Sequence, residues 1–232
     1  MQNINCIDSV QALPLLRLMQ LVSPSLPIGA YAYSQGMESA VEFEWVNDET
    51  STLAWLDGLL AHGICYTDLA ILKRLYIAWQ NQSVEEVVKW NQHIIALRET
   101  TELEAEDLHL GGALIRVLSS LQVNKIEQLA SIESCSFLTA FSFAAVQWSI
   151  PRQICLMGFG YSWVENQIAS AIKLIPLGQS AGQRILSELL NSIKHSVEKA
   201  EQLEDKDIGF SMPGYSIASA KHETQYSRLF RS

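Results

Sequence analysis

An all-α architecture, a compact multi-helix bundle of about eight to ten helices with an extended C-terminal tail, is the fold class that the sequence predicts. Three observations carry this. Apolar residues recur at helical spacing through most of the 232 residues, alternating strand-like patterns are nearly absent, and prolines and capping residues fall between the periodic stretches. No fixed-period repeat or low-complexity segment appears, so a solenoid is unsupported. Apolar residues make up 48% and charged residues 18% of the chain, so it can bury a core without disulfides or metal. The expected division is one helical domain over residues 1–204, followed by a partner-docking tail over residues 205–232.

Taken in order, the apolar stretch Leu13 to Val22 is short, carries Arg17 and meets Pro24. It fits an N-terminal helix and neither a signal peptide nor a membrane span. Ser23 to Gly36, rich in Pro, Gly, Ser and Tyr, reads as a loop, with Ser34 placed to cap a helix through Met37 and Glu38. Leu53, Leu56, Leu60 and Ile64, then Leu72, Leu75 and Trp79, lie along one stripe. Ser83-Val84-Glu85-Glu86 has the form of a capping box, so a helix is expected to begin near Val84. Pro151 and Pro176, lacking an amide proton, mark boundaries and leave helices near 131–149, 152–174 and 180–203.

Charge and chemistry exclude several functions. The net charge is −9 and the longest basic run is Lys73-Arg74, so a nucleic-acid backbone would be repelled. The protein is expected in the cytoplasm, off the membrane. Cys6, Cys65, Cys135 and Cys155 form no C-x-x-C pair and read mostly as small buried hydrophobes. His62, His93, His109, His195 and His222 lack the spacing that puts two metal ligands on one helix face, and no catalytic triad can be assigned. His222-Glu223 reads as a surface feature. Glu99, Glu102, Glu104, Glu106 and Asp107 cluster near a helix start, where a solvated acidic face is expected.

Three motifs remain. Ser23-Pro24-Ser25-Leu26-Pro27-Ile28-Gly29-Ala30-Tyr31-Ala32-Tyr33-Ser34-Gln35-Gly36-Met37-Glu38 is either a connecting loop or an interface that presents tyrosines to a partner. It lacks the Gly-Lys-Ser/Thr of a phosphate-binding loop. Pro176-Leu177-Gly178-Gln179-Ser180-Ala181-Gly182-Gln183 puts Gln179 and Gln183 on one helical face, facing a partner or a polar seam, with Ala181 and Gly182 small enough for close helix approach. The tail through His222, Glu223, Gln225, Tyr226, Arg228, Leu229 and Phe230 mixes aromatic, aliphatic and cationic groups, which suits a segment that orders on docking.

Together, and in this order, the three motifs resemble the UreF family of urease accessory proteins; the stretch from Trp45 to Ser149 resembles it mainly in helical character. The resemblance implies a non-enzymatic all-α homodimer. Its expected partners are a UreD-type accessory protein, the GTPase UreG and the urease apoprotein, in a complex that inserts nickel into urease. Nickel and GTP would be handled by that complex, with no cofactor bound directly by this chain. The implied partner contacts are Pro27, Gly29, Tyr31, Ser34, Gln35 and Glu38 in the loop, Gln179 and Gln183, and the tail residues just named, with Arg228 bonding backbone carbonyls to fix the tail. Alternatives are a regulator that activates or gates the GTPase, through an arginine such as Arg74, Arg116, Arg152 or Arg184, and a nickel carrier in its own right.

Overall fold

A computed structural model describes residues 9–232, with side chains from residue 12 onward, and every regular element among them is helical. Cys6 lies outside the described residues. α1 (Ser9–Leu21) leads through a 3-10 turn (Ala30–Ala32) to the short α2 (Met37–Glu42). Next, α3 (Glu49–Gly58), a π-helical stretch (Leu59–Leu69) and α4 (Ala70–Gln80) run on as one rod, because the residues at both joins keep right-handed helical dihedrals. α5 (Val84–Ala96), α6 (Thr101–Ser120), α7 (Ile126–Ala130), α8 (Phe137–Gln147), α9 (Arg152–Leu174) and α10 (Gln179–Ala200) follow. A second 3-10 turn (Asp205–Asp207) and α11 (Pro213–His222) close the order.

Two apolar clusters hold these elements. Leu72, Leu75 and Trp79 of α4 meet Ile94 of α5, Leu114 of α6, Phe141 and Phe143 of α8, and Leu156 of α9 in the first. Met37, Leu56 and Leu60 meet Trp163 and Ile168 of α9 and Ile185 and Leu189 of α10 in the second. The apolar stripe read from Leu53 to Trp79 therefore serves both cores. The π-helical stretch carries Leu60 and Ile64, the end of the stripe's first half, and its wider turns change the stripe's phase before Leu72, so one rod can face two directions.

Helix boundaries follow local chemistry with two corrections. α5 begins at Val84 as expected, yet Ser83 makes no side-chain cap bond. Glu86 instead accepts from the Trp90 indole at 3.1 Å and from Lys89, so the side chain needed to close the box is engaged along the helix. A capping box is formed at Asp48 and Ser51. The helix expected over 131–149 begins only at Phe137, where the Ser136 hydroxyl accepts from the Thr139 amide. Ser134, with φ of 50°, turns the chain ahead of it. α9 spans the expected 152–174, and α10 starts one residue before the expected 180 and ends three before 203.

Close approach explains two glycines. A methyl group on Gly111 would lie 2.1 Å from the Cys135 carbonyl oxygen, so α6 and the turn before α8 meet backbone to backbone. One on Gly182 would lie 2.7 Å from Ile172 Cδ1, which shows the close α9–α10 packing that the small residues foreshadow. No helix among the described residues is long and apolar enough to cross a membrane.

Candidate functional site

The loop after α1 is shaped by its backbone before its side chains act. Gly29 has φ of 84° and opens the 3-10 turn, which leaves Tyr31 67% exposed, and Pro27 also faces solvent. Ser34 turns inward, where its hydroxyl accepts from the Glu38 amide at 3.3 Å, close to the helix-capping role expected of it. Gln35 donates from Nε2 to Glu106 at 2.7 Å, and its Oε1 accepts from the Trp163 indole at 2.7 Å. One carboxamide thus ties the loop to α6 and α9.

Onto this frame folds the C-terminal segment, which the sequence sets apart from the bundle. α11 packs on α2, and the residues after it return to the loop. The Ser34 and Gln35 amides and the Ser34 hydroxyl all donate to the Ser232 carbonyl, at 2.7, 3.0 and 2.6 Å. Ser232 Oγ donates to Glu106 at 2.7 Å, and the Arg231 amide donates to the Ala32 carbonyl at 2.8 Å. Glu38 is the hub, accepting from the Leu229 and Phe230 amides at 2.7 and 2.9 Å. Each of these bonds satisfies a main-chain group or a charge that would otherwise be desolvated without a partner.

His222 is buried in this cradle and is no surface residue: its Nδ1 lies 2.7 Å from Glu102 and its Nε2 3.3 Å from Glu38. Arg228 pairs with the same Glu102 at 2.5 Å, so its fixing bond goes to a carboxylate where backbone carbonyls were expected. The acidic face expected on α6 is solvated only in part. Glu104 is exposed, but Glu106 and Asp107 are buried. Their positions share a face with Leu103 and Leu110, and partners distant in sequence supply their hydrogen bonds. Burial pushes the Glu106 carboxyl up to about 7, against the pull of the Ser232 and Gln35 donors.

A cavity of about 680 Å³ opens beside this cradle and collects several of the motif residues: Tyr31 and Gln35 from the loop, Gln179 and Gln183 from the start of α10. On its wall Arg98, which drew no attention in the sequence, donates to Asp107 at 3.0 Å and to Asp68 at 2.9 Å. Burial pulls the guanidinium pKa down, but the two aspartates outweigh it and hold Arg98 firmly charged. Asp107 also accepts from the Phe137 amide at 2.8 Å, joining α6 to the start of α8. Among the described residues no group of three or more His, Cys, Asp or Glu is arranged to hold a metal ion.

Of the tail residues, Phe230 is turned inward, with the Lys173 ammonium 5.3 Å from its ring centre and 5.9 Å from that of Tyr31. Gln225 accepts from Ser39, and Glu223 accepts from the Glu102 amide. Tyr226 is fully exposed and Leu229 is 63% exposed. Gln179 and Gln183 are exposed as well.

Fold and site together define an all-α bundle whose C-terminal segment docks on its own loop, α2 and α6. A family model described as UreF matches residues 46–190, most of which lies in the stretch that resembles the family mainly in helical character. A urease accessory protein UreF of Psychrobacter cryohalolentis is 45% identical over 228 residues, 97% of each chain. Those of Pseudoalteromonas translucida and Marinobacter nauticus are 46% and 45% identical over 95% of each chain. This chain belongs to the UreF family of urease accessory proteins.

Proposed function

We propose that this chain serves in the maturation of urease as a scaffold, joining a UreD-type accessory protein and the GTPase UreG to the urease apoprotein while nickel is inserted. Nickel is cargo in this reading, GTP belongs to the partner, and the chain turns over no substrate. It works as a homodimer in the cytoplasm. The observation that carries the proposal is the outward rim of Tyr31, Tyr226 and Leu229 on segments whose backbones are anchored by buried hydrogen bonds. Exposed aromatic and aliphatic side chains on an ordered support are what an interface hot spot requires, since little conformational freedom is left to lose on binding.

Of the four arginines through which the chain could activate the GTPase, Arg116 is exposed and the other three are held in ion pairs. Arg74 is engaged with Asp205 and two backbone carbonyls, Arg152 with Glu201, and Arg184 with Glu49.

Size-exclusion chromatography with light scattering tests the scaffold. The full chain, a Tyr226→Ala/Leu229→Ser double variant and a chain ending at Ser211 are each mixed with the UreD-type protein and UreG. The double variant is expected to keep its helical circular dichroism and to lose the three-protein assembly, as is the shortened chain. Unchanged assembly by both overturns the proposal.

A further inference from the structure

Residues 42–49, Glu-Phe-Glu-Trp-Val-Asn-Asp-Glu, run from the end of α2 to the start of α3 with four carboxylates, two aromatic rings and no lysine or arginine. Their backbone is pinned from both sides. The Phe43, Glu44 and Trp45 amides donate to the Ser39, Val41 and Ala40 carbonyls, each at 2.9 Å, and the Asn47 and Asp48 amides donate to the Ser51 hydroxyl at 3.0 Å. Glu44, with φ of 59°, reverses the chain. Val46 is buried in the second apolar cluster, while Phe43 and Trp45 stay 37% and 44% exposed. Their ring centres lie 5.1 Å apart, and that of Trp55 of α3 lies 6.1 Å from that of Trp45. We propose that this aromatic patch is a docking surface for an arginine-bearing basic segment of a protein partner, whose guanidinium lies on the Trp45 ring with Glu42 and Glu44 about its charge.

The chain covers other rings that reach its surface with its own cations. Arg17 lies 5.0 Å from the Trp148 ring centre, Lys199 4.9 Å from that of Tyr66 and Lys173 5.9 Å from that of Tyr31. Among the described residues no lysine or arginine stands over Phe43, Trp45 or Trp55, although indole is the ring that attracts a cation most strongly. The cation that does reach this turn, Arg184, is taken by both oxygens of Glu49, at 2.8 and 2.7 Å. Asp48 is taken as well, capping α3 through the Ser51 amide. Glu42 and Glu44 are exposed and, among the described residues, in no ion pair.

Charge decides between possible occupants. Two copies of the patch facing one another would set Glu42 and Glu44 against themselves, and nucleic acid or an anionic lipid surface would meet the same repulsion. A basic polypeptide segment is attracted. Arginine suits the site better than lysine, because a planar, weakly hydrated guanidinium stacks on an indole face while its edge still donates to carboxylates. The pinned turn leaves little backbone freedom to lose when the segment binds. The patch uses none of the rim residues Tyr31, Tyr226 and Leu229, so it adds a second surface to the one that carries the scaffold proposal.

The test uses the full chain with isotope-labelled tryptophan, whose six indole N–H groups are followed by NMR. A short blocked peptide with two arginines among glycines is titrated to millimolar concentration, beside peptides with lysines or glutamates in their place. The Trp45 signal, identified by its absence in Trp45→Phe, is expected to shift saturably with the arginine peptide, less with lysine and not with glutamate. The signals of buried Trp79 and Trp163 should hold. Read at the Trp55 signal, Trp45→Ala is expected to weaken binding about five- to thirtyfold. Glu42→Gln/Glu44→Gln, which changes only exposed groups and leaves the packing intact, should weaken it several-fold and remove most of its salt dependence. Rings that only roof the second cluster would give none of these responses. No saturable shift, equal shifts with lysine and arginine, or binding unchanged in either variant overturns the proposal. So does a Trp45 signal that moves with protein concentration alone, the mark of a second copy on the patch. Each outcome is read without UreG, the UreD-type protein or urease, and so is independent of the scaffold.

Discussion

Arg98 has two buried aspartates as partners, and removing it would leave both carboxylates in a site that excludes most water. Uncompensated buried charge is among the few single-residue changes that cost more than a typical mutation, so Arg98→Met is expected to destabilise the fold by about 3–5 kcal/mol in urea denaturation. Arg98→Lys should recover only part of this, because one ammonium cannot reproduce the planar fork that reaches α6 and the π-helical stretch at once. The cysteines illustrate the opposite case of groups made inert. Burial pushes the Cys65 thiol up to about 11 and the Cys135 thiol up to about 12, and Cys155 is raised further. With Cys6 replaced by serine, the native protein at pH 8 is expected to show no rapid reaction with a thiol reagent, and all three remaining thiols should react after unfolding. Fast labelling of any of them in the native state would contradict that burial.

At the scale of elements, the joins between helices matter more than helix propensity. α6 passes the Cys135–Ser136 turn so closely that the smallest side chain cannot be added at Gly111 without moving backbone. Gly111→Ala, which would favour an isolated helix by about 1 kcal/mol, is therefore expected to lower stability by about 1–3 kcal/mol. A gain in stability would show that the two backbones can separate. Sequence signals located α5 and α9 well, because helical periodicity and Pro151 act within a few residues of the boundaries, although Ser83 makes no cap bond at the start of α5. The same kind of signal failed at residues 131–136. Apolar residues there favour burial in either conformation, and the late start of α8 depends on Ser136 and on Asn91 of α5, which accepts from the Ser136 amide at 2.9 Å.

Across the whole molecule, the C-terminal segment is both a structural strap and the bearer of exposed side chains. The Tyr226→Ala/Leu229→Ser variant removes two exposed side chains and no buried bond, so its stability is expected to stay within about 0.5 kcal/mol of the parent. Under the scaffold proposal the same variant should activate urease at least about tenfold less well at limiting concentration, the effect of losing about 1.4 kcal/mol of binding energy. Equal activation would remove Tyr226 and Leu229 from the interface. Sequence by itself determined the helical class, the start of α5, the bounds of α9 and nearly those of α10, and the three motifs that pointed to the family, because periodicity and proline act locally along the chain. Only the tertiary structure decided that His222 and Glu106 are buried, that Arg98 bridges two aspartates, and that the tail lies on its own loop. Those facts depend on contacts such as Ser34 with Ser232 and Glu38 with Phe230, between groups nearly a full chain length apart. A carboxylate on a helix looks the same in sequence whether water or a distant amide meets it, and the folded chain alone brings that amide within reach.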